Sequence, residues 1–143
     1  MNLENFNTKT QSHEDTKIED ELSHQIIGAS IEVHRTLGGP GLLESIYEAA
    51  LCHELALRGL SIQRQKPVQV MYKGVRIKEP LFIDVLVEDK VLVEVKAVEK
   101  YHPIYETQVL TYLRLTGIKL GLLVNFGASY VKDGISRIIN GVL

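Results

Sequence analysis

The chain has 143 residues, 45% of them hydrophobic, and a formal net charge of −2, which predicts one domain with one hydrophobic core of ordinary size. The small negative charge excludes a molecule that attracts nucleic acid over its whole surface, so any phosphate-binding surface has to be a local patch. A single cysteine, Cys52, excludes an internal disulfide, and neither a long apolar run nor a signal pattern is present in the sequence, so we expect a cytoplasmic protein.

The first part of the chain predicts a tail followed by two helices. Residues 1–17 are polar and predict a disordered tail, which leaves residues 18–143 as a single domain. A first helix is predicted up to the glycine and proline cluster at residues 38–41. Its apolar stripe, at spacings of three and four, consists of Leu22, Ile26, Ala29, Val33 and Leu37. A second helix is predicted over about residues 42–58, with five residues facing the core: Leu43, Ile46, Tyr47, Ala50 and Leu51.

The second part of the chain predicts mainly strands. They are expected at residues 62–72, 75–77, 81–87, 91–96 and 120–125. A third helix is predicted from Pro103 to about residue 116, where Gly117 closes it. We assign no element to residues 131–143. The order of elements predicts an α/β fold, in which helices flank one mixed central sheet whose first three or four strands are mostly antiparallel.

Two predicted strands joined by a three-residue turn carry acids and a lysine among apolar residues. Val87 then faces Val91, and counting outward places Asp84 opposite Glu94. Lys96 shares their face because side chains alternate along a strand, and the opposite face consists of valines that pack inward. Two facing carboxylates destabilise a sheet unless something compensates their charge. A bound divalent cation would do so.

Polar residues on two predicted helices add to this pair. Gly41, Glu44 and Tyr47 are spaced by three, so Glu44 and Tyr47 share one face of the second helix. Gln108 and Tyr112 are four residues apart and share one face of the third helix. The helices are therefore able to present a carboxylate, an amide and phenols to one edge of the sheet.

Basic residues cluster around one predicted hairpin. Lys73, Arg76 and Lys78 lie near its turn, and Arg64 and Lys66 precede them on the first strand. Phosphate groups bind such clusters through salt-dependent charge contacts. The cluster is the local basic patch that the overall charge requires of a nucleic-acid-binding protein.

The complete set of motifs resembles the PD-(D/E)xK nuclease superfamily, in its RecB-like branch. The resemblance is carried by Asp84 before a turn, the tripeptide Glu-Val-Lys at residues 94–96, and the Gln108 to Tyr112 spacing in the next helix. The proline that often precedes the first acid is replaced by Ile83, a departure that the superfamily tolerates.

A narrower resemblance covers the upstream helices. Val-His-Arg at residues 33–35, followed by Gly-Pro-Gly-Leu-Leu-Glu-Ser-Ile-Tyr-Glu at residues 39–48, is similar to the signature of the small bacterial GxxExxY proteins. The resemblance covers roughly residues 22–140.

The resemblance implies a restriction-endonuclease-like core and metal-dependent hydrolysis of phosphodiester bonds in nucleic acid. DNA is the expected partner, and a homodimer is left open. The implied metal, Mg²⁺ or Mn²⁺, has as its ligands Asp84, Glu94, the Val95 carbonyl and Glu44, the last directly or through water. The implied catalytic residues are Asp84, Glu94, Lys96 and Glu44, with Lys96 orienting the attacking water. The implied substrate-positioning residues are Gln108, Tyr112 and Tyr47.

Simpler interpretations exist for each of these residues. Asp84 and Glu94 would equally suit a solvated ladder of ion pairs with nearby lysines. Glu44 suits the helix dipole as an acid in a first turn. Tyr47 suits the core, as an aromatic with a hydroxyl in contact with water. Gln108 and Tyr112 would suit a helix surface that packs on the sheet.

Three function classes therefore remain open at the level of sequence. The chain is an active metal-dependent nuclease, a nucleic-acid-binding module that does not cleave, or an interaction protein that uses a nuclease fold as a scaffold. Cleavage assays separate the first class from the others, and salt-dependent binding separates the second from the third.

Overall fold

The structure is a computed structural model that describes the backbone of residues 3–141 and the side chains of residues 17–141. Its helices are α1 (Leu3–Thr36), α2 (Glu44–Leu57) and α3 (Ile104–Thr116). Its strands are β1 (Ile62–Tyr72), β2 (Val75–Val87), β3 (Val91–Lys96), β4 (Leu120–Asn125) and β5 (Ile135–Ile139), and a short 3₁₀ helix at Val131–Gly134 precedes the last of them.

The described strands form one mixed sheet in the order β1-β2-β3-β4-β5. Strands β3 and β4 are parallel, while the other neighbouring pairs are antiparallel. The parallel pair needs a crossover connection, which α3 provides. The predicted α/β fold with a mixed sheet between helices is therefore confirmed. Strand β5 lies in the segment to which the sequence assigned no element.

Helices cover both faces of the sheet. The apolar stripe of α1 and the buried residues of α2 pack on one face, against the valines of β2 and β3 that the hairpin pattern predicted to point inward. Val85, Val91 and Val93 are completely buried there. On the other face Val109 and Leu113 of α3 pack against apolar residues of β2, β3 and β4. The sheet is thus enclosed, as a sheet with a parallel pair requires.

The predicted inward face of α2 is wrong at two positions. Leu43 is 75% exposed and Ile46 is 46% exposed, whereas Tyr47, Leu51 and Leu55 are completely buried. The helix begins at Glu44, so Leu43 is an extended residue before its first turn. Ile46 precedes the buried stripe by one residue, and a step of one residue rotates a side chain by about 100° around the helix axis.

Helix α1 begins earlier than the sequence predicts. Its backbone is helical from Leu3, inside the segment that we predict to be a disordered tail. The side chains before Lys17 lie outside the described residues, and disorder of this segment in solution stays a prediction. In the part of the chain that the structure describes, every helix is too short or too polar to cross a membrane.

Candidate active site

The two acids lie where strands β2 and β3 separate. The hairpin register runs from Val87 opposite Val91 to Val85 opposite Val93, as the three-residue turn predicts. At the next step the backbone N–H of Val95 donates a hydrogen bond of 2.9 Å to Oδ2 of Asp84 instead of to a carbonyl of β2. The carboxylate thus takes the place of a backbone acceptor at the point where the ladder ends. We call this point the fork.

Glu94 is buried beside Asp84 at the fork. Its side chain is 5% exposed, and its Oε2 atom has no hydrogen-bond partner among the described residues. Burial raises the pKa of Glu94 to about 9, helped by the charge of Asp84 and a hydrogen bond between the two carboxyls, while Lys96 acts in the opposite direction. A solvated ladder of ion pairs does not fit these acids, because only 8% of Asp84 and 5% of Glu94 are exposed.

A side-chain network from α2 and β1 fixes the orientation of Asp84. The Nε2 atom of Gln65 donates to Asp84 Oδ1 at 3.0 Å and to Glu48 Oε1 at 2.9 Å. Two carboxylates accept from one amide, which identifies the atom that faces them as the NH₂ group. Gln65 has a positive φ of 53°, which is uncommon for a residue other than glycine. Both oxygens of Asp84 are therefore held, one by this amide and one by Val95.

Arg64 belongs to the same network and not to the basic patch. Its Nε atom lies 2.6 Å from Oε2 of Glu48, and this hydrogen bond raises the pKa of the guanidinium. Glu48 is buried on α2, so the ion pair compensates a carboxylate that water does not hydrate well. The sequence-based grouping of Arg64 with Lys73 and Lys78 is wrong for this reason.

Lys96 lies on α3's side of the fork. Its ammonium nitrogen is 4.9 Å from the centroid of the Tyr105 ring, in the range of a cation–π contact. The charge of Lys96 lowers the pKa of both Glu94 and Glu44. The lysine is therefore close to both acids while an aromatic ring limits where its side chain can go.

Glu44 lies in the first turn of α2, near the fork but outside its buried part. Its side chain is solvent-exposed, yet neighbouring atoms remove part of its hydration, and this is the main reason why its pKa is raised. The charges of Asp84 and Glu48 raise it further, and Lys96 lowers it. A helix-dipole role and a role in the site are both compatible with this position.

Tyr112 and Gln108 are half-buried on α3. The pKa of the Tyr112 phenol is raised by burial first and then by the charges of Glu94 and Asp84, so the phenol lies within their electrostatic reach. Tyr105, Gln108 and Tyr112 follow spacings of three and four, which places them along one face of the helix.

Tyr47 is completely buried and stacks on Phe126 with ring centroids 4.7 Å apart. Its hydroxyl donates to the Gly39 carbonyl at 2.7 Å and accepts from the Leu42 N–H at 3.1 Å. A hydroxyl in contact with water is therefore wrong, and direct contact with a substrate does not fit this position. His34 secures the same region, because its Nε2 atom lies 3.2 Å from the Phe126 carbonyl oxygen.

The residues at the fork fit a hard divalent cation. Such ions prefer oxygen ligands and are often held by only one or two carboxylates. Asp84 and Glu94 supply two carboxylates, and the buried Oε2 of Glu94 has no hydrogen-bond partner in the part of the chain that the structure describes. The described residues contain no group of three or more His, Cys, Asp or Glu side chains able to hold a metal ion. The role of Glu44 as a further ligand, directly or through water, stays a prediction.

Three residues of this region are not among those predicted from the sequence: Glu48, Gln65 and Tyr105. Tyr105 was detectable, because it precedes Gln108 by three residues on the same helical face. Glu48 follows Glu44 by four residues on the same face of α2. Gln65 has no signal in the sequence, because its role depends on contacts to residues that are 17 and 19 positions away.

The mixed sheet with helices on both faces, and a buried acid pair beside a lysine, define an α/β protein with a nuclease-like core. The model of the PD-(D/E)XK nuclease superfamily matches residues 20–138, and the chain belongs to this superfamily. Nucleases of this superfamily generally use divalent metal ions and act on nucleic acid. No curated protein and no solved structure matches the chain.

Proposed function

We propose that this chain is a Mg²⁺- or Mn²⁺-dependent nuclease of the RecB-like branch, in the narrower GxxExxY family, and that it hydrolyses phosphodiester bonds in DNA. One observation carries the proposal. A buried pair of acids, Asp84 and Glu94, has an unsatisfied carboxylate oxygen beside Lys96. Buried acids that face each other without compensation destabilise a fold, so such a pair is expected where a cation is part of the working protein.

In this proposal Asp84, Glu94 and the Val95 carbonyl would hold the cation. A bound divalent cation would neutralise charge on the phosphate and lower the pKa of the attacking water. Gln65 and the Val95 N–H keep the Asp84 carboxylate in one orientation before any cation arrives. Glu44 acts from outside this set, through water.

Lys96 orients the attacking water and donates to a phosphate oxygen. Its ammonium group lies within electrostatic reach of both Glu94 and Glu44, and the Tyr105 ring restricts its position. Preorganised donors of this kind stabilise charge that develops in the transition state. Gln108 and Tyr112 contact the nucleic-acid backbone from α3, and Tyr47 acts only indirectly, by holding the loop before Glu44.

The proposal is tested by cleavage assays on the purified full chain with Mg²⁺ or Mn²⁺. Asp84→Asn should reduce cleavage by about a thousand-fold or more, because it removes the charge of a metal ligand and part of the electrostatic stabilisation. Lys96→Met should have a similar effect. The unfolding free energy of both variants should stay within a few kcal/mol of the wild type.

Matched controls lie in the neighbouring turn. Asp89 and Lys90 are exposed there, so Asp89→Asn and Lys90→Met should retain activity. Cleavage that survives both Asp84→Asn and chelation of the metal would contradict the proposed mechanism. A chain that binds nucleic acid in a salt-dependent manner without cleaving it would instead be a binding module, and one that does neither would be an interaction protein.

A further inference from the structure

One end of the β1–β2 hairpin extends beyond the rest of the sheet. β2 pairs with β3 only through Val85–Val87, whereas its pairing with β1 continues to the turn between Tyr72 and Val75. All of residues 71–79 are exposed. We call residues 71–79 the arm. A two-stranded ribbon that lacks a packed face is marginally stable on its own, so a partner that covers it would stabilise it.

The arm combines large apolar side chains with basic ones. Met71, Tyr72, Val75 and Ile77 are between 51% and 62% exposed. They alternate along the sequence with Lys73, Arg76 and Lys78. Exposed apolar side chains in such number on a short ribbon indicate a contact surface.

Positive charge is concentrated at this end of the β1–β2 hairpin. Residues 66–78 contain four basic residues and no acidic one, while the remainder of the chain has a formal net charge of −6. The ion pair of Arg76 with Glu79 at 3.0 Å is largely exposed, so it holds the guanidinium weakly. The basic residues of the arm are therefore available to a polyanion. The rest of the chain has a net negative charge, which disfavours binding of the polyanion to other parts of the surface.

We propose that the arm binds duplex DNA, with its ribbon in the major groove and its lysines on the flanking phosphates; the proposal rests on the nuclease function proposed above. The major groove of B-form DNA is about 12 Å wide and admits a two-stranded ribbon. The major groove of A-form RNA is too narrow for side chains to read. Apolar side chains such as Val75 and Ile77 suit contacts with thymine methyl groups. Duplex DNA is thus the form of nucleic acid that fits this ribbon.

The arm and the fork both include residues of β2, so the distance between them follows from the rise per residue of a strand. Val75 and Lys78 are nine and six residues from Asp84 along β2. At about 3.3 Å per residue they lie roughly 20 to 30 Å from the acids. Base pairs are spaced by about 3.4 Å, so the arm would contact the duplex about six to nine base pairs from the cleaved bond.

Binding to labelled duplexes without divalent metal tests the proposal. The variant Lys73→Glu/Lys78→Glu should bind duplex DNA about tenfold or more weakly at moderate salt, and its plot of log affinity against log salt should be shallower by about two units. The control is Lys17→Glu/Lys90→Glu, which makes the same change of net charge at exposed positions outside the arm. Its affinity should stay within about twofold of the wild type.

Two outcomes would overturn the proposal. Equal loss of affinity in both double variants would mean that only the overall charge matters. Tighter binding to duplex RNA of the same sequence would contradict placement in the major groove. A third measurement covers the alternative partner: if Tyr72→Ser/Ile77→Ser turns a dimer into a monomer and leaves DNA affinity unchanged, the arm is an interface between copies of this chain, and the proposal fails.

Failure of the arm and failure of the nuclease are distinguishable. Duplex DNA that is bound through the arm but not cleaved by the wild type with Mn²⁺ would support the arm and contradict the nuclease. Cleavage with the same KM in Lys73→Glu/Lys78→Glu as in the wild type would support the nuclease and contradict the arm.

Discussion

The two halves of strand β2 lie in opposite surroundings. From Ile83 to Val87 every residue is buried between β1, β3 and the helices, and this half contains Asp84. From Val75 to Glu79 every residue is exposed, and this half forms one side of the arm. A single strand thus passes from an exposed ribbon to an acid of which only a small fraction is exposed.

Because of this difference, substitutions in the two halves of β2 should have effects of different size. In the buried half a charge has to be compensated, so small changes of chemistry should have large effects. In the exposed half each charge is hydrated and contributes little alone, so changes should be graded and additive.

The largest expected difference between the two halves is in the effect of a Glu-to-Gln substitution on stability. Burial raises the pKa of Glu94 to about 9, well above its ordinary value of 4.5. The folded chain keeps this proton between these two pH values while the unfolded chain loses it, so wild-type stability falls as the pH rises through this window. Without divalent metal, Glu94→Gln should be more stable than the wild type by about 3 kcal/mol at pH 7, and by much less at pH 5.

Urea unfolding of both proteins across this pH range measures the effect. Glu79→Gln in the arm is the control, since the Glu79 side chain is 87% exposed in its ion pair, and it should leave stability unchanged within about 0.5 kcal/mol. A wild-type stability with no downward slope between pH 5 and pH 8 would show that the fork does not hold a proton.

A second contrast concerns two glutamines of β1. Gln65→Ala removes the amide that holds Asp84, and we expect about a tenfold loss of Mn²⁺ affinity, as is typical of residues that orient a metal ligand. Gln69→Ala, at an exposed position toward the arm, should leave the affinity unchanged. Calorimetric titration with Mn²⁺ measures both. Equal affinities would mean that Asp84 is oriented well enough by Val95 alone.

The smallest effect concerns the length of the substrate. Shortening the duplex on one side of the cleaved bond below about six base pairs should raise the KM of the wild type several-fold, because the arm loses its contact. The Lys73→Glu/Lys78→Glu variant should show no such step. A wild-type KM that is independent of duplex length would place the arm away from the substrate.

The sequence predicts the two facing acids of the fork better than it predicts the side-chain network that orients Asp84. The hairpin register is predictable because a three-residue turn and alternating valines fix which residues face each other. Helix α3 is predictable from Pro103 before it and from Gly117, whose left-handed conformation closes it. Both depend on residues that are close in the sequence.

Features that depend on distant contacts are not predictable in this way. Arg64 forms an ion pair with Glu48 of α2. A count of basic residues in the sequence therefore overestimates the positive charge of the patch. Leu43 is exposed because α2 begins only after it. Ile46 is exposed because tertiary packing selects the stripe that begins one residue later, about 100° around the helix. Strand β5 has a mixed pattern of burial, because it packs at the edge of the sheet.

The buried hydroxyl of Tyr47 connects the hydrophobic core to the position of Glu44. It bonds to Gly39 and to Leu42 on either side of the turn between α1 and α2, and the next residues lead directly into the first turn of α2. The entry angle of that helix is therefore set by an aromatic ring stacked on Phe126 and not by a capping side chain. Repacking of the core around Phe126 would move an acid at the site without changing any residue of the site.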